Sequence, residues 1–211
     1  MPRIKTKRSD IMRKEEILET IQKAETVGSW LQCLIAIAWI FGKRINEILR
    51  VKREDVWVER KFLYIRFLVS KKKTRESSAI PQRYLKRKTL KHPGTAFIIS
   101  YIKNISEGYI FPDATQKEKT IKVYNKKYDK WYSYTLEGGH ISRHKAKYFL
   151  KKINPDIWWH LLRESLATEM AEREATEEEL MHWFDWDDPR TAHRYVKRGT
   201  KLTEKWSEKA W

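Results

Sequence analysis

The run Trp30-Leu31-Gln32-Cys33-Leu34-Ile35-Ala36-Ile37-Ala38-Trp39-Ile40-Phe41 carries no charge and a single amide. A helix built from it is apolar all round, and such a helix has to be covered on every side. It is too short to cross a bilayer, which takes about 20 residues. It therefore belongs at the centre of a core, with the rest of the chain wrapped around it. At 211 residues the chain is long enough for one substantial domain.

The flanking sequence divides into helical and extended parts. Ser9 or Asp10 can cap a first helix reaching about Val27, with Ile11, Ile17, Leu18 and Ile21 on one side. Gly28-Ser29 ends it, and Gly42 ends the apolar helix. Arg44 to Arg50 restarts a helical turn or two. The period then changes. Val56-Trp57-Val58 and Phe62 to Val69 are rich in β-branched and aromatic residues around a Glu59-Arg60-Lys61 turn, which predicts a hairpin. Lys71-Lys72-Lys73-Thr74-Arg75 forms the next turn, and Ser78-Ala79-Ile80 a short third strand before Pro81. Helices are expected over 82–90 and 94–104. Residues 115–137 read as a two-strand excursion around Ile121–Tyr124 and Trp131–Thr135. Helices follow at about 141–152, 157–173 and 176–184. Asp188-Pro189 then reads as a cap with proline in the first helical position. That last helix carries Tyr195 and ends near Gly199. Leu202, Trp206 and Ala210, four apart, form an amphipathic tail.

Lys plus Arg number 45 against 28 Asp plus Glu, a formal net charge of +17. Such an excess predicts a polyanionic partner, most simply nucleic acid. An anionic membrane is the weaker alternative, because the chain shows neither a lipidation motif nor an amphipathic anchor. Cys33 is the single cysteine, so no intrachain disulfide can form, and no metal cluster is visible. The N-terminus has no apolar signal core, and a cytoplasmic, DNA-associated protein is expected. The Lys- and Glu-rich composition follows the thermophile trend.

A few residues carry chemistry. Arg44 and Glu47 stand three apart, and the plain reading is an intrahelical ion pair worth a few tenths of a kcal/mol. His160 and Arg163 are also three apart, behind a Trp158-Trp159 pair. A buried guanidinium cannot shed its proton and needs partners, either a phosphate or a structural carboxylate. Tyr195 is one of ten tyrosines and would ordinarily be a packing residue. With Trp186 between them, the order of these groups points to a site for an anionic phosphoryl centre. Tyr195 would be its nucleophile.

That arrangement resembles the tyrosine recombinase (phage integrase) family over about residues 10 to 200. Gly42-Lys43-Arg44-Ile45-Asn46-Glu47-Ile48-Leu49, with Asp55 opening a strand, is similar to the family's first catalytic box. The hairpin turn falls where the family keeps its lysine, with Lys73 the best match and Lys71 and Lys72 behind it. Gly108-Tyr109-Ile110-Phe111-Pro112 resembles the connector between lobes. His160-Leu161-Leu162-Arg163 with Ala167-Thr168 resembles the second box. Trp186 to Tyr195 resembles the closing box, where a His or Trp stands nine residues before the nucleophile. Glu164 departs from the histidine that often follows the second arginine.

The resemblance implies an α+β fold, a mostly helical tyrosine-recombinase-like catalytic domain with a small antiparallel β-sheet. It divides the chain into a basic arm (1–8), a catalytic domain (9–200, with 115–137 as an inserted excursion) and a C-terminal tail (201–211). It implies site-specific DNA cleavage and rejoining through a 3′-phosphotyrosyl intermediate, in a mobile element of archaeal or thermophile type. Tyr195 attacks, Arg44, Arg163 and His160 hold the phosphoryl oxygens, and Lys73 protonates the leaving oxygen. Trp186 donates its indole N–H or buttresses the tyrosine helix, and Glu47 orients Arg44. Arg143, Lys145, Lys147 and Lys151 on one helix are expected DNA contacts. No cofactor is implied. The expected partner is a double-stranded DNA attachment site, with a monomer in solution and a homo-tetramer on paired sites. The rivals are an inert DNA-binding protein on the same scaffold and a type IB topoisomerase-like or resolving enzyme.

Overall fold

The computed structural model describes residues 11–69, 82–125, 129–136 and 138–197. The expected basic arm, the Lys71 to Arg75 turn, the Ser78 to Ile80 strand and the tail from 201 lie outside the described residues. Helix α1 spans Lys14–Lys23 and continues as a 3-10 turn over Ala24–Thr26. Helix α2, Ser29–Phe41, is the apolar run, and every residue from Cys33 to Phe41 is buried. Each fully buried Leu or Ile of this kind contributes roughly 1.5–3 kcal/mol. Its wrapping consists of α1, the short α3 (Ile45–Leu49), α4 (Pro93–Ile102), α5 (Arg143–Ile153) and α6 (Trp159–Glu172).

An antiparallel sheet of β1 (Val56–Glu59), β2 (Phe62–Val69) and β3 (Gln82–Thr89) lies beside this bundle in the order β1-β2-β3. Register runs from Val56 opposite Ile65 and from Phe62 opposite Thr89. Leu63, Ile65 and Phe67 are fully buried on one face. Strand β3 occupies the segment expected to be a helix over 82–90. Its alternation is inverted: Leu85 points outward at 52% exposure, while Lys86 is buried beside Ile65. An apolar-in pattern therefore misreads the segment. Pairing with the open edge of β2 supplies its backbone hydrogen bonds, and Lys86 finds polar partners inside.

Two short strands, β4 (Pro112–Asp113) and β7 (Gly139–His140), pair antiparallel and bracket a two-stranded ribbon of β5 (Lys119–Asn125) and β6 (Lys130–Leu136). Helix α7 (Glu177–Phe184) follows α6 and starts with a capping box at Thr176 and Glu179. A last helix, α8, covers residues 189–197. A second, smaller core of Leu166, Ala167, Ala171, Leu180, Phe184 and Ala192 seats α7 and α8 on α6, with Trp186, Tyr195 and Val196 packed against it. The whole is an α+β domain, mostly helical, with small antiparallel sheets.

Candidate active site

Arg44 stands at the N-cap of α3, directly after the turn that Gly42 makes. Gly42 sits in the left-handed region at φ 58°, and a Cβ there would fall 2.3 Å from a ring carbon of Phe184. Any other residue would be strained there and would have to displace the Phe184 ring. The Glu47 carboxylate accepts from the Arg44 Nη1 at 2.9 Å and from the Arg44 backbone N–H at 3.0 Å. Glu47 is nearly buried, whereas the Arg44 side chain keeps 40% exposure. One carboxylate thus fixes both ends of an arginine whose far face is open.

Arg163, on α6, lies beneath. It is 3% exposed. Its Nη2 donates to the Phe184 carbonyl at 2.8 Å and its Nη1 to the Gly42 carbonyl. The guanidinium also lies over the Phe184 and Trp186 rings, 4.9 and 5.5 Å from their centroids. Both of these acceptors are backbone carbonyls, not the structural carboxylate that the sequence allowed. Desolvation is the main cause that brings its pKa down to about 10, and Arg44 adds to it, while Glu47, Asp185 and Tyr195 oppose it. It stays charged at neutral pH.

His160 is one helical turn before Arg163. Its Nε2 is 3.5 Å from the Glu164 carboxylate, and the side chain is 63% exposed. Its pKa lies below the ordinary imidazole value, first through desolvation, then through Arg163 and Arg44, with Glu164 opposing. The open side of the ring lets water screen part of this effect.

Trp186 and Tyr195 complete the cluster. The rings of Phe184, Trp186 and Tyr195 form one stack, 4.7 Å and 5.2 Å between centroids with interplanar angles of 18° and 11°. Trp186 thus lies between the Phe184 and Tyr195 rings and also meets the Arg163 guanidinium. Arg44, Glu47, His160, Arg163, Trp186 and Tyr195 come together from α3, α6, the α7–α8 turn and α8. Lys73 lies outside the described residues.

A second network under this cluster was not foreseen. Asp185 ends α7 in the left-handed region at φ 52°, where glycine is the usual occupant. Its carboxylate is paired with two buried lysines, Lys43 and, at 3.1 Å, Lys86. The same lysines reach the end of α7. Lys43 donates to the Trp183 carbonyl at 3.4 Å and Lys86 to the His182 carbonyl at 2.5 Å. With Arg163 on the Phe184 carbonyl, three successive carbonyls at the negative end of α7 each meet a cation from a different element. This fixes the turn that carries Trp186. The available sequence signals were a lysine wedged between an apolar helix and Arg44, and an aspartate at a helix end.

Lys43 gives the network a pH signature. Desolvation lowers its pKa from 10.5 to about 8, helped by the Lys86 charge and opposed by Asp185 and Glu47. Between those values the unfolded chain holds a proton that the folded chain has lost. The contribution of Lys43 to stability therefore rises with pH across that window, by at most about 1.4 kcal/mol per unit. Below about pH 8 both states are protonated and it adds no slope. Thermal melts of wild type and Lys43→Met at about pH 7 and about pH 9.5 check this. Wild type should gain on the variant at the higher pH, and parallel changes would show that Lys43 keeps its proton throughout.

The basic residues of α5 divide. Arg143 and Lys147 are exposed. Lys145 spends its charge on Asp113 at 2.9 Å, and Lys151 donates to the Pro155 carbonyl.

Comparison with solved structures shows what this fold is similar to. A XerH site-specific recombinase bound to its difH substrate, in a pre-cleavage complex, matches with a TM-score of 0.61 at 14% identity, over 88% of this chain and 49% of that one. XerA recombinase matches with 0.61 at 12% identity, over 96% and 64%. A lambda integrase dimer bound to a COC′ core site matches with 0.55 at 14%, over 89% and 47%. The chain thus spans about half to two thirds of the length of these proteins. None of the curated proteins compared with it matches. The phage integrase family model matches residues 10–201, nearly the whole of the chain and every box of the site, and the chain belongs to the phage integrase family.

Proposed function

We propose that this chain cuts and rejoins DNA at specific sites through a covalent tyrosyl phosphate. The observation that carries the reading is the Tyr195 ring stacked on Trp186, whose ring meets the Arg163 guanidinium, with the Arg44 side chain partly open to solvent. Around that point four cations, Lys43, Arg44, Lys86 and Arg163, face three carboxylates, Glu47, Glu164 and Asp185. The excess of positive charge suits a phosphodiester, whose charge grows on the non-bridging oxygens in the transition state.

In this reading the Tyr195 oxygen attacks phosphorus, forming a phosphotyrosine bond to the 3′ end while the bond to the 5′ oxygen breaks. His160, whose pKa lies below the ordinary imidazole value, accepts the phenolic proton or bonds a phosphoryl oxygen. Arg44 meets the phosphate from the open side and Arg163 supplies its field from below. Lys73 gives a proton to the departing 5′ oxygen. That 5′ hydroxyl, or one from a second duplex, reverses the step and releases the tyrosine. Double-stranded DNA is the partner, with Arg143 and Lys147 as backbone contacts. The chain is a monomer in solution and assembles as a tetramer on paired sites.

The test is incubation with a pool of nicked duplexes whose core sequence is randomised, followed by denaturing electrophoresis. A protein–DNA adduct that resists denaturation is expected. Binding without adduct under all conditions would instead mean an inert DNA-binding protein. Adduct formation with relaxation but no exchange between duplexes would favour a topoisomerase-like enzyme. Lys73 has its own signature: Lys73→Ala should be slow on an ordinary phosphodiester and largely rescued by a 5′-bridging phosphorothiolate, whose sulfur leaves without a proton. Equal rescue by Lys72→Ala alone would move the acid within the turn.

A further inference from the structure

The β5–β6 ribbon is attached to the fold at its root and makes no substantial packing contact with another element among the described residues. An isolated two-stranded hairpin is at best marginally stable in water. This one also exposes aromatic surface that a merely solvated hairpin would avoid. Trp131 is 67% exposed and Tyr124 41%, directly opposite each other in the register, with ring centroids 5.3 Å apart. The register puts Thr120, Lys122, Tyr124, Trp131, Ser133 and Thr135 on one face, and all of them are exposed. That face carries hydroxyl donors and acceptors, a cation and two aromatic rings, and no carboxylate. The Asp129 carboxylate in the turn is occupied by the Tyr124 hydroxyl.

The root of the ribbon is tied to the fold beside α5. The Gly139 N–H donates to the Gln116 carbonyl at 2.7 Å. A Cβ on Gly138 would fall 2.4 Å from both the Gln116 oxygen and the Glu118 nitrogen, so the two stems meet backbone to backbone there. Asp113, next to this junction in register, holds Lys145 of α5 at 2.9 Å. Ser142 then caps α5 through the Lys145 N–H. Ribbon and α5 therefore leave one fixed corner, and α5 presents Arg143 and Lys147.

We propose that this ribbon is a second DNA-reading element, seated in the major groove of the duplex beside the segment held at the tyrosine. The proposal rests on the reading of the chain as a DNA-binding recombinase. Size supports it. A two-stranded ribbon fits a major groove about 12 Å wide but not a minor groove about 6 Å wide. Strands of seven residues span roughly 23 Å. Charge supports it too: between residues 117 and 137 six lysines stand against three acids. Thr120, Ser133 and Thr135 offer hydrogen bonds to base edges, Lys122 a contact to guanine or phosphate, and the rings apolar contact to thymine methyls.

The test uses Tyr195→Phe protein throughout, so that binding is read without cleavage, and duplexes selected from a randomised pool. Hydroxyl-radical footprints and affinities for selected against random duplex are compared with those of Lys122→Glu and Trp131→Ala. Both positions are exposed, and circular dichroism melts confirm that the variants fold. Each variant should lose protection on one flank of the footprint, and the ratio of selected to random affinity should fall about tenfold or more. An unchanged footprint and ratio would overturn the proposal. So would unchanged single-site binding with loss of assembly on a paired site, which would make the ribbon a protein contact. The two readings fail separately. A shortened footprint with no adduct from the unsubstituted protein would remove strand transfer and keep the ribbon's role. Adduct formation with an unchanged footprint would do the reverse.

Discussion

Tyr195→Phe should abolish the covalent adduct while leaving DNA affinity within about twofold, since only a phenolic oxygen is removed and the phosphate-binding charge that dominates affinity stays. The ring is held by its stack on Trp186 and by the small core that seats α8, not by its oxygen alone. Phenylalanine fills the same stack, so the variant should melt close to wild type. Tyr195 lies near enough to Arg163 to act on its charge. The measurement pairs a denaturing gel for adduct with a binding titration on the same duplex. Adduct formed by the phenylalanine protein at the wild-type rate would remove Tyr195 as the nucleophile.

The two arginines should separate under substitution. Arg44→Ala removes a half-exposed donor, and adduct formation should fall about 10²–10³-fold, the usual loss for one preorganised donor to a developing anion. Its melting temperature should stay near wild type, because Glu47 keeps the backbone N–H of residue 44 as a partner. Arg163→Ala should lose the same rate and also stability. It strips the carbonyls of Gly42 and Phe184 of their donor inside the protein, a cost of about 1–3 kcal/mol for each buried group left unpaired. Arg163→Lys should recover little of either, since one ammonium cannot reproduce a fork that spans two carbonyls. Adduct formation with salt-tolerant affinity in Arg44→Ala would show that Arg44 serves the fold only. A wild-type melt for Arg163→Ala would show that the carbonyls find other donors.

Much of the architecture was legible from pattern. The apolar run from Trp30 to Phe41 had to be central, and it is. The hairpin at Val56 to Val69 and the helices around His160 and Thr176 lie where period and caps placed them. The segment at 82–90 did not. Its helix reading failed because β3 buries a lysine and exposes a leucine, and that choice is made by Asp185, a hundred residues away in sequence, not by local propensity.

The site divides in the same way. Sequence alone determined which residues are candidates, because a pair of arginines, a histidine, an indole and a tyrosine in that order at those spacings carry their chemistry in their types. It also led to the expectation of a polyanionic partner, since net charge is a sum and needs no coordinates. Tertiary structure decided how the two arginines differ. One is capped by Glu47 and open, the other is buried under Phe184 and Trp186, though both look alike as letters. It decided that Lys43 and Lys86 share one carboxylate and hold the end of α7. Such pairings join groups that are distant in the chain, and their energies depend on separation and burial, which only the folded molecule sets.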